Sequence, residues 1–483
     1  MKKIYLMYPM EIGTVSPEIY GHFTEHIGGV IYGGIWVGKN SDIPNIKGFR
    51  KDIVEKLKAI HAPVIRWPGG CFAEIYDWRD GIGENRPTRL NWWTNRDGKY
   101  ESNAVGTHEF MDFCEAVGAK AYFAANLTTV SPLHIRNWMD YCLSPKGSTT
   151  LACEREANGH PEPFDIPYWG VGNENWGGGG EMTPQFYSDE FRRFATVLKN
   201  DFPNAELFAC GEDAARYDWT HGFMRGVEAC GVRFSGYAMH YYTHGVGEAI
   251  DFTEQDWDGQ MKSAALMEDI IKRNWHIICG YGMENKARLV VDEWGCWHKE
   301  NSGPSKGANL FEQQSTMRDA MVTALTFNIF NNHCDKVRMA NAAQLVNNLH
   351  CLFLASGENC ITTPTYHVFD LYQEHQGAKA IRTAVSGKED DAELTVSASV
   401  KDGKTLVTVG NLSCKKDVTV SLESVGGKIS GEAEAVLLYS EDVHAHNTFE
   451  APQTVAPIRM DLDIRKPFVL PKAGILAIRF PSV

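Results

Sequence analysis

Two short apolar runs in this chain end in a glutamate set among aromatic and amide residues: Tyr168-Trp169-Gly170-Val171-Gly172-Asn173-Glu174-Asn175-Trp176 and Leu289-Val290-Val291-Asp292-Glu293-Trp294-Gly295. Two carboxyl groups held roughly 5 to 5.5 Å apart can break a glycosidic bond with retention: one, protonated, donates to the leaving oxygen, and the other, ionised, attacks the anomeric carbon. Aromatic neighbours and mutual negative charge would push the acid's pKa above that of its partner. Either glutamate alone would read as a salt-bridged or capping residue. The repeated construction, with Asn173 placed to hydrogen-bond a sugar hydroxyl, favours a catalytic pair.

Such a pair needs a scaffold that brings distant strand ends together. Short β-branched or apolar runs alternate with amphipathic helical stretches, and eight candidate strands fall at 19–24, 63–67, 119–126, 168–172, 205–210, 234–241, 288–293 and 337–343. Alternation of this kind predicts an α/β chain with a parallel sheet, and eight units fit a (β/α)8 TIM barrel over residues 16–371. An open doubly wound sheet is the alternative. In the barrel the glutamates end strands 4 and 7, which face each other across its mouth.

Between the strands, Phe49, Ile53, Leu57 and Ile60 form one stripe at helical spacing. Thr183-Pro184 predicts a capped helix start with Phe186, Phe191, Phe194, Val197 and Leu198 on its buried face. Thr107 is read as the cap of another helix, which Gly118 ends. Residues 372–483 change to alternating strands, with a hairpin signal at Asp402-Gly403, and predict an all-β, jelly-roll-like sandwich. The strand-like residues 1–15 are expected to join it.

Of the 483 residues, 43% are hydrophobic, enough for a large core, and the net charge of −14, spread along the chain, argues against nucleic acid as a partner. The 12 cysteines form no CxxC pair and several sit in apolar runs, which reads as free thiols in a reducing compartment. The apolar start is broken by Tyr8-Pro9 and Glu11, and no 18-residue apolar run follows. A cytoplasmic location with no membrane partner is therefore expected.

Further motifs carry a resemblance. The segments Ile19-Tyr20-Gly21-His22-Phe23-Thr24-Glu25-His26, Ile65-Arg66-Trp67-Pro68-Gly69-Gly70, Asp77-Trp78-Arg79-Asp80-Gly81-Ile82-Gly83, Gly106-Thr107-His108-Glu109-Phe110 and Ala343-Gln344-Leu345-Val346-Asn347 occur in that order. With Asn173-Glu174 and Glu293, they resemble the α-L-arabinofuranosidases of glycoside hydrolase family 51, within the 4/7 superfamily of retaining glycosidases. The resemblance spans nearly the whole chain. It implies that Glu174 is the acid/base and Glu293 the nucleophile, and that Glu25, Arg66, Asn173 and Gln344 bind an arabinofuranose. It also implies a tyrosine beside the nucleophile, Tyr242 with Tyr241 as the alternative. Cys71 stands in the sugar-binding place where the family commonly has asparagine, and a thiol hydrogen-bonds more weakly. The implied partner is an arabinofuranosyl saccharide, the implied assembly a homo-oligomer such as a hexamer, and no cofactor or metal is called for.

Three other readings fit parts of the sequence. His22-x-x-Glu25-His26 matches an inverted zinc-protease pattern, which needs a continuous helix; Pro17, Gly21, Gly28 and Gly29 oppose one. A non-catalytic sugar-binding protein would keep aromatics such as Trp176, Trp294 and Trp297 but lose a carboxylate, and both are present. Within the enzyme class, β-xylosidase, endoglucanase and galactofuranosidase activities are the rivals.

Overall fold

A computed structural model describes the chain except for residues 214–215, 229, 245–246, 300–301, 388–392, 428, 430 and 483. Eight parallel strands, Gly21–Phe23, Val64–Trp67, Lys120–Ala125, Tyr168–Val171, Glu206–Asp213, Gly236–His244, Arg288–Trp297 and Val337–Ala342, form a closed barrel in chain order. Closure comes from the last strand pairing with the first, Asn341 with Gly21 and Ala342 with His22, which rules out the open sheet. The first strand is shorter than its sequence suggests, because Pro17 opens a 3₁₀ turn over Pro17–Tyr20.

The lumen is packed rather than hollow. Val64, Tyr122, Tyr168, Phe208, Ala238, Val290 and Met339, one from each of seven strands, form a cluster of their own inside it. Outside, the helices bury apolar stripes against the strands. Phe49, Ile53, Leu57 and Ile60 are all buried as the spacing requires, although the helix itself is Lys51–Ala59 and Phe49 belongs to a short strand before it.

Two local readings need correction. The helix Thr107–Val117 is capped by Gly106, whose N–H donates to the Glu109 carboxylate at 3.0 Å, while the Thr107 hydroxyl is turned inward to accept from Trp138 Nε1. Gly118 ends that helix at φ 84°, as expected. In Pro184–Asp201, Thr183 does cap the start, accepting from Phe186 N at 3.2 Å. Phe186 itself is 54% exposed and Val197 only half-buried; Tyr187 replaces Phe186 on the buried face with Phe191, Phe194 and Leu198. The Tyr187 hydroxyl donates to Val171 O and accepts from Cys210 N, tying the helix to the fourth and fifth strands.

Nine strands form a second sheet, in the order Pro457–Asp463, Glu432–Leu438, Ile475–Pro481, Lys404–Asn411, Leu394–Lys401, Lys379–Ser386, Lys2–Thr14, Val418–Val425, Phe468–Leu470. The N-terminal strand lies inside it, antiparallel to Lys379–Ser386 and parallel to Val418–Val425. Asp402 and Gly403, at φ 50° and 73°, make the two-residue hairpin turn. The helix Met317–Asn332, buried on nearly every face, separates sheet from barrel. Its Asn328 and Asn331 hydrogen-bond Thr395 and Ser397 of the sheet, so the polar groups at this junction are satisfied in pairs. No helix among the described residues is long and apolar enough to cross a membrane.

The helix Pro184–Asp201 gives a direct stability test. Phe191→Ala should cost about 3–5 kcal/mol by opening a cavity, while Phe186→Ala should change stability by no more than about 0.5 kcal/mol. Thermal unfolding of the two variants checks this, and equal losses would contradict the helix phase.

Candidate active site

The fourth barrel strand ends at Val171, and the chain then turns sharply, with Gly172 at φ 89° and Glu174 at φ 45°. A left-handed conformation is rare for a glutamate and aims its side chain where a continuing strand would not. The glycine run after it holds the turn. Gly177 N and Gly179 N both donate to Glu174 O, at 2.8 and 3.0 Å, and a Cβ on Gly179 would lie 1.9 Å from Asn173 O.

On the seventh strand the register slips: Met239 of the sixth strand pairs with Val291, but His240 pairs with Glu293, leaving Asp292 as an extra residue. Such a bulge lets two consecutive side chains serve one pocket, which regular alternation forbids. Trp294, on the opposite face, is core instead, packed on Phe327, Phe330 and His350, so it is not a sugar platform.

The two glutamates meet. One oxygen of each, together with a nitrogen of His240, lies within 4.8 Å of the others. Glu174 Oε1 is 2.8 Å from His240 Nδ1, and Glu174 Oε2 is 3.9 Å from Cys71 Sγ. Glu293 Oε1 accepts from Arg66 Nη1 at 2.7 Å, and Glu293 Oε2 accepts from the Tyr242 hydroxyl at 2.7 Å and lies 3.5 Å from His240 Nδ1. Tyr241 points away, donating to Ser263 O, which decides between the two tyrosines.

The remaining residues expected at the site gather around this pair. Arg66 Nη2 donates to Asn173 Oδ1 at 2.5 Å. Glu25 accepts from Phe72 N, Trp93 Nε1 and Gln344 Nε2, and a Cβ on Gly70 would sit 2.7 Å from Glu25 Oε2, so the Pro68-Gly69-Gly70 turn allows this close approach. Asn173 Nδ2 and Gln344 Oε1 are buried with no partner, one spare donor and one spare acceptor.

Four residues at or beneath the site were not singled out in the sequence. His240 was seen only as part of a strand end, yet it bridges both glutamates. Asp292 lies 3.1 Å from His240 Nε2 and accepts from the Tyr122 hydroxyl at 2.9 Å. Trp93 Nε1 holds Glu25. Glu74, fully buried, accepts from Asn173 N and Asn175 Nδ2 on one oxygen and from Leu127 N and Thr128 N on the other, at 2.6–2.9 Å. The available signal for Glu74 and Asp292 was a carboxylate inside an apolar run. Of the three tryptophans considered for stacking, Trp297 borders the pocket, edge-on to Tyr242 at 5.2 Å, and Trp176 is held by Gly211 O.

Burial pushes the Glu174 carboxyl above its ordinary value; His240 pulls it back in part, while Glu293 and Asp213 add to the rise. Burial also takes Glu25 up to about 7, against the Phe72 N–H bond and with help from Glu293. For His240, burial opposes a charge, but Glu293 and Asp292 outweigh it and hold the imidazole well above its ordinary value. Asp292 shows the reverse: burial is outweighed by Arg66 and His240, and it stays below the usual carboxylate range.

The zinc-protease pattern does not form. His22 lies in a strand, and the nitrogens of His26 are taken by Glu101 and Trp67. Cys296, His298 and Asp319 also cluster with metal-ligand spacing, but Arg318 Nη2 lies 3.2 Å from His298 Nδ1 and supplies positive charge there already.

Comparison with known proteins agrees with this geometry. Residues 56–258 match the α-L-arabinofuranosidase 1 domain, and residues 292–472 match the α-L-arabinofuranosidase C-terminal domain. An intracellular exo-α-L-arabinofuranosidase of Bacteroides ovatus is 38% identical over 92% of this chain and 88% of its own length. The crystal structure of the family 51 arabinofuranosidase from Xanthomonas axonopodis pv. citri superposes with a TM-score of 0.92 at 37% identity, covering 99% of both chains. The Thermotoga maritima α-L-arabinofuranosidase in complex with arabinose gives 0.88 at 27% identity, covering all of both. Fold and relatives together make this protein a glycoside hydrolase. It belongs to the α-L-arabinofuranosidases of family 51, whose characteristic mechanism is retaining.

Glu74 offers a test of how the site is held. Glu74→Gln replaces one of two acceptor oxygens by a donor facing donors, which should cost about 1–3 kcal/mol of stability. It should also lower kcat/KM, because Asn173 N loses its anchor. A variant as stable and active as the parent would show that this carboxylate does not position the turn.

Proposed function

We propose that the protein releases terminal, non-reducing α-L-arabinofuranosyl residues from arabinose-containing oligo- and polysaccharides by double displacement. The observation that carries this is the approach of Glu174 and Glu293 oxygens to within 4.8 Å, which suits retention better than the wider spacing of an inverting pair.

Glu174, whose pKa burial and Glu293 raise, gives its proton to the departing glycosidic oxygen. Glu293, ionised between Arg66 and Tyr242, attacks C1 and forms a glycosyl ester. Glu174, now a carboxylate, takes a proton from water, whose oxygen attacks C1 on the face the leaving group vacated, and Glu293 is released. Asn173 Nδ2 and Gln344 Oε1, both unpartnered, supply a donor and an acceptor to sugar hydroxyls. Glu25 and Arg66 complete the glycone site, and Cys71 makes a weaker contact beside Glu174. The intracellular B. ovatus relative supports a cytoplasmic location, where the protein would act as a homo-oligomer on imported saccharides.

Glu293→Ala should lower kcat/KM on every substrate by on the order of 10⁴-fold or more. Glu174→Ala should lose about 10²–10⁴-fold on natural saccharides while sparing the first step on aryl glycosides with good leaving groups. Equal loss on both substrate types would overturn the acid assignment. Because the acid must be protonated, kcat/KM should fall as pH rises through the Glu174 pKa. NMR of the first-formed product from 4-nitrophenyl α-L-arabinofuranoside should show the α anomer. Stronger cleavage of xylosides or glucosides than of arabinofuranosides would overturn the substrate.

A further inference from the structure

Both nitrogens of His240 face carboxylate oxygens: Nε2 is 3.1 Å from Asp292 Oδ1, and Nδ1 is 2.8 Å from Glu174 Oε1 and 3.5 Å from Glu293 Oε2. With a carboxylate oxygen within ion-pair distance of each nitrogen, the cluster favours a positively charged ring, an imidazolium. Asp292 is itself fixed, with Tyr122 on one oxygen and Arg66 Nε 3.4 Å away. The charged and titratable groups around this ring come from every neighbouring strand: Arg66 from the second, Tyr122 from the third, Glu174 after the fourth, Asp213 on the fifth in register with His240, Tyr242 on the sixth, and Asp292 and Glu293 on the seventh.

Taking Glu174 as the acid/base and Glu293 as the nucleophile, we propose that His240 and Asp292 are positioning residues that couple the two carboxylates. His240, anchored on Asp292, lets its Nδ1–H follow the negative charge from Glu293 to Glu174 as the glycosyl ester forms. In the first displacement, Glu293 gains a bond to C1 and becomes a neutral ester, the C1–oxygen bond breaks, and the Glu174 proton leaves with that oxygen. The negative charge has then moved from one carboxylate to the other. The Nδ1–H, shared before this step, belongs to Glu174 after it and favours the ionised base that the second displacement needs. Hydrolysis of the ester returns the charge to Glu293, and His240 ends each cycle with the protons it began with.

The test is the pH dependence of kcat/KM on an arabinofuranosyl oligosaccharide, whose leaving group needs the acid, and the pre-steady-state phenol release with an activated aryl arabinofuranoside. Asp292→Asn and His240→Gln are compared with the parent, and Glu174→Ala serves as control. Removing a cation from beside Glu174 raises its pKa, so the basic limb of kcat/KM should move upward by about one pH unit in both variants. Glu174 is then less ionised in the ester, so kcat should fall more than kcat/KM and a burst of phenol should appear.

A uniform drop in rate with the limb unmoved, or moved downward, would assign a merely structural role and overturn the proposal. If Asp292→Asn fails to fold, His240→Gln reads the same limb. Loss of the limb in Glu174→Ala beside unmoved limbs in the other two sinks the coupling alone. A limb that persists in Glu174→Ala sinks the acid assignment and the coupling with it.

Discussion

Two carboxylates within 4.8 Å of each other in a buried pocket repel on the order of 3 kcal/mol at an effective dielectric constant of about 20, and each also loses hydration. Everything else at the mouth of this barrel answers that problem. Arg66 and Tyr242 both donate to Glu293, and burial, with Glu293 adding to it, holds the pKa of Glu174 above its ordinary value. The same conflict that costs stability therefore makes the two carboxyl groups electrostatically unlike, as the proposed division of roles requires.

Arg66 carries more than one role in this arrangement. It contacts Glu293, Asp292 and Asn173 at once while its guanidinium lies 4.5 Å over the Phe23 ring. A planar fork with several fixed donors can do this and a lysine could not. Below it, Tyr122 and Asp292 extend the polar network to the lumen, where the apolar cluster begins. Glu74 does the corresponding work for the backbone, gathering donors from the ends of the third and fourth strands.

Several features were legible without coordinates. Glu174 and Glu293 stood out because each ends an apolar run, and all eight barrel strands were found because buried parallel strands read as continuous apolar segments. The Asp402-Gly403 turn was local chemistry and formed as read. The misses have physical causes. Phe186 was placed one residue out of phase, and one residue on a helix is a rotation of about 100°. Thr107 lost the cap to Gly106 because Trp138, distant in sequence, needed its hydroxyl. Trp294 could have been core or a sugar contact from its sequence alone, and strand alternation turns it to the outer face.

What the residues alone determined is the set of local preferences: which segments are strands and which are helices, although the seventh strand runs on to Trp297, past the glutamate read as its end. Those follow from side-chain periodicity and backbone propensity within a few residues. The separation of Glu174 from Glu293 and the choice of Tyr242 over Tyr241 were decided only by closure of the barrel. So were the bulge that admits Asp292 and the placing of His240 between three carboxylates. Each depends on register between strands more than fifty positions apart, and register is set by the packing of the whole barrel.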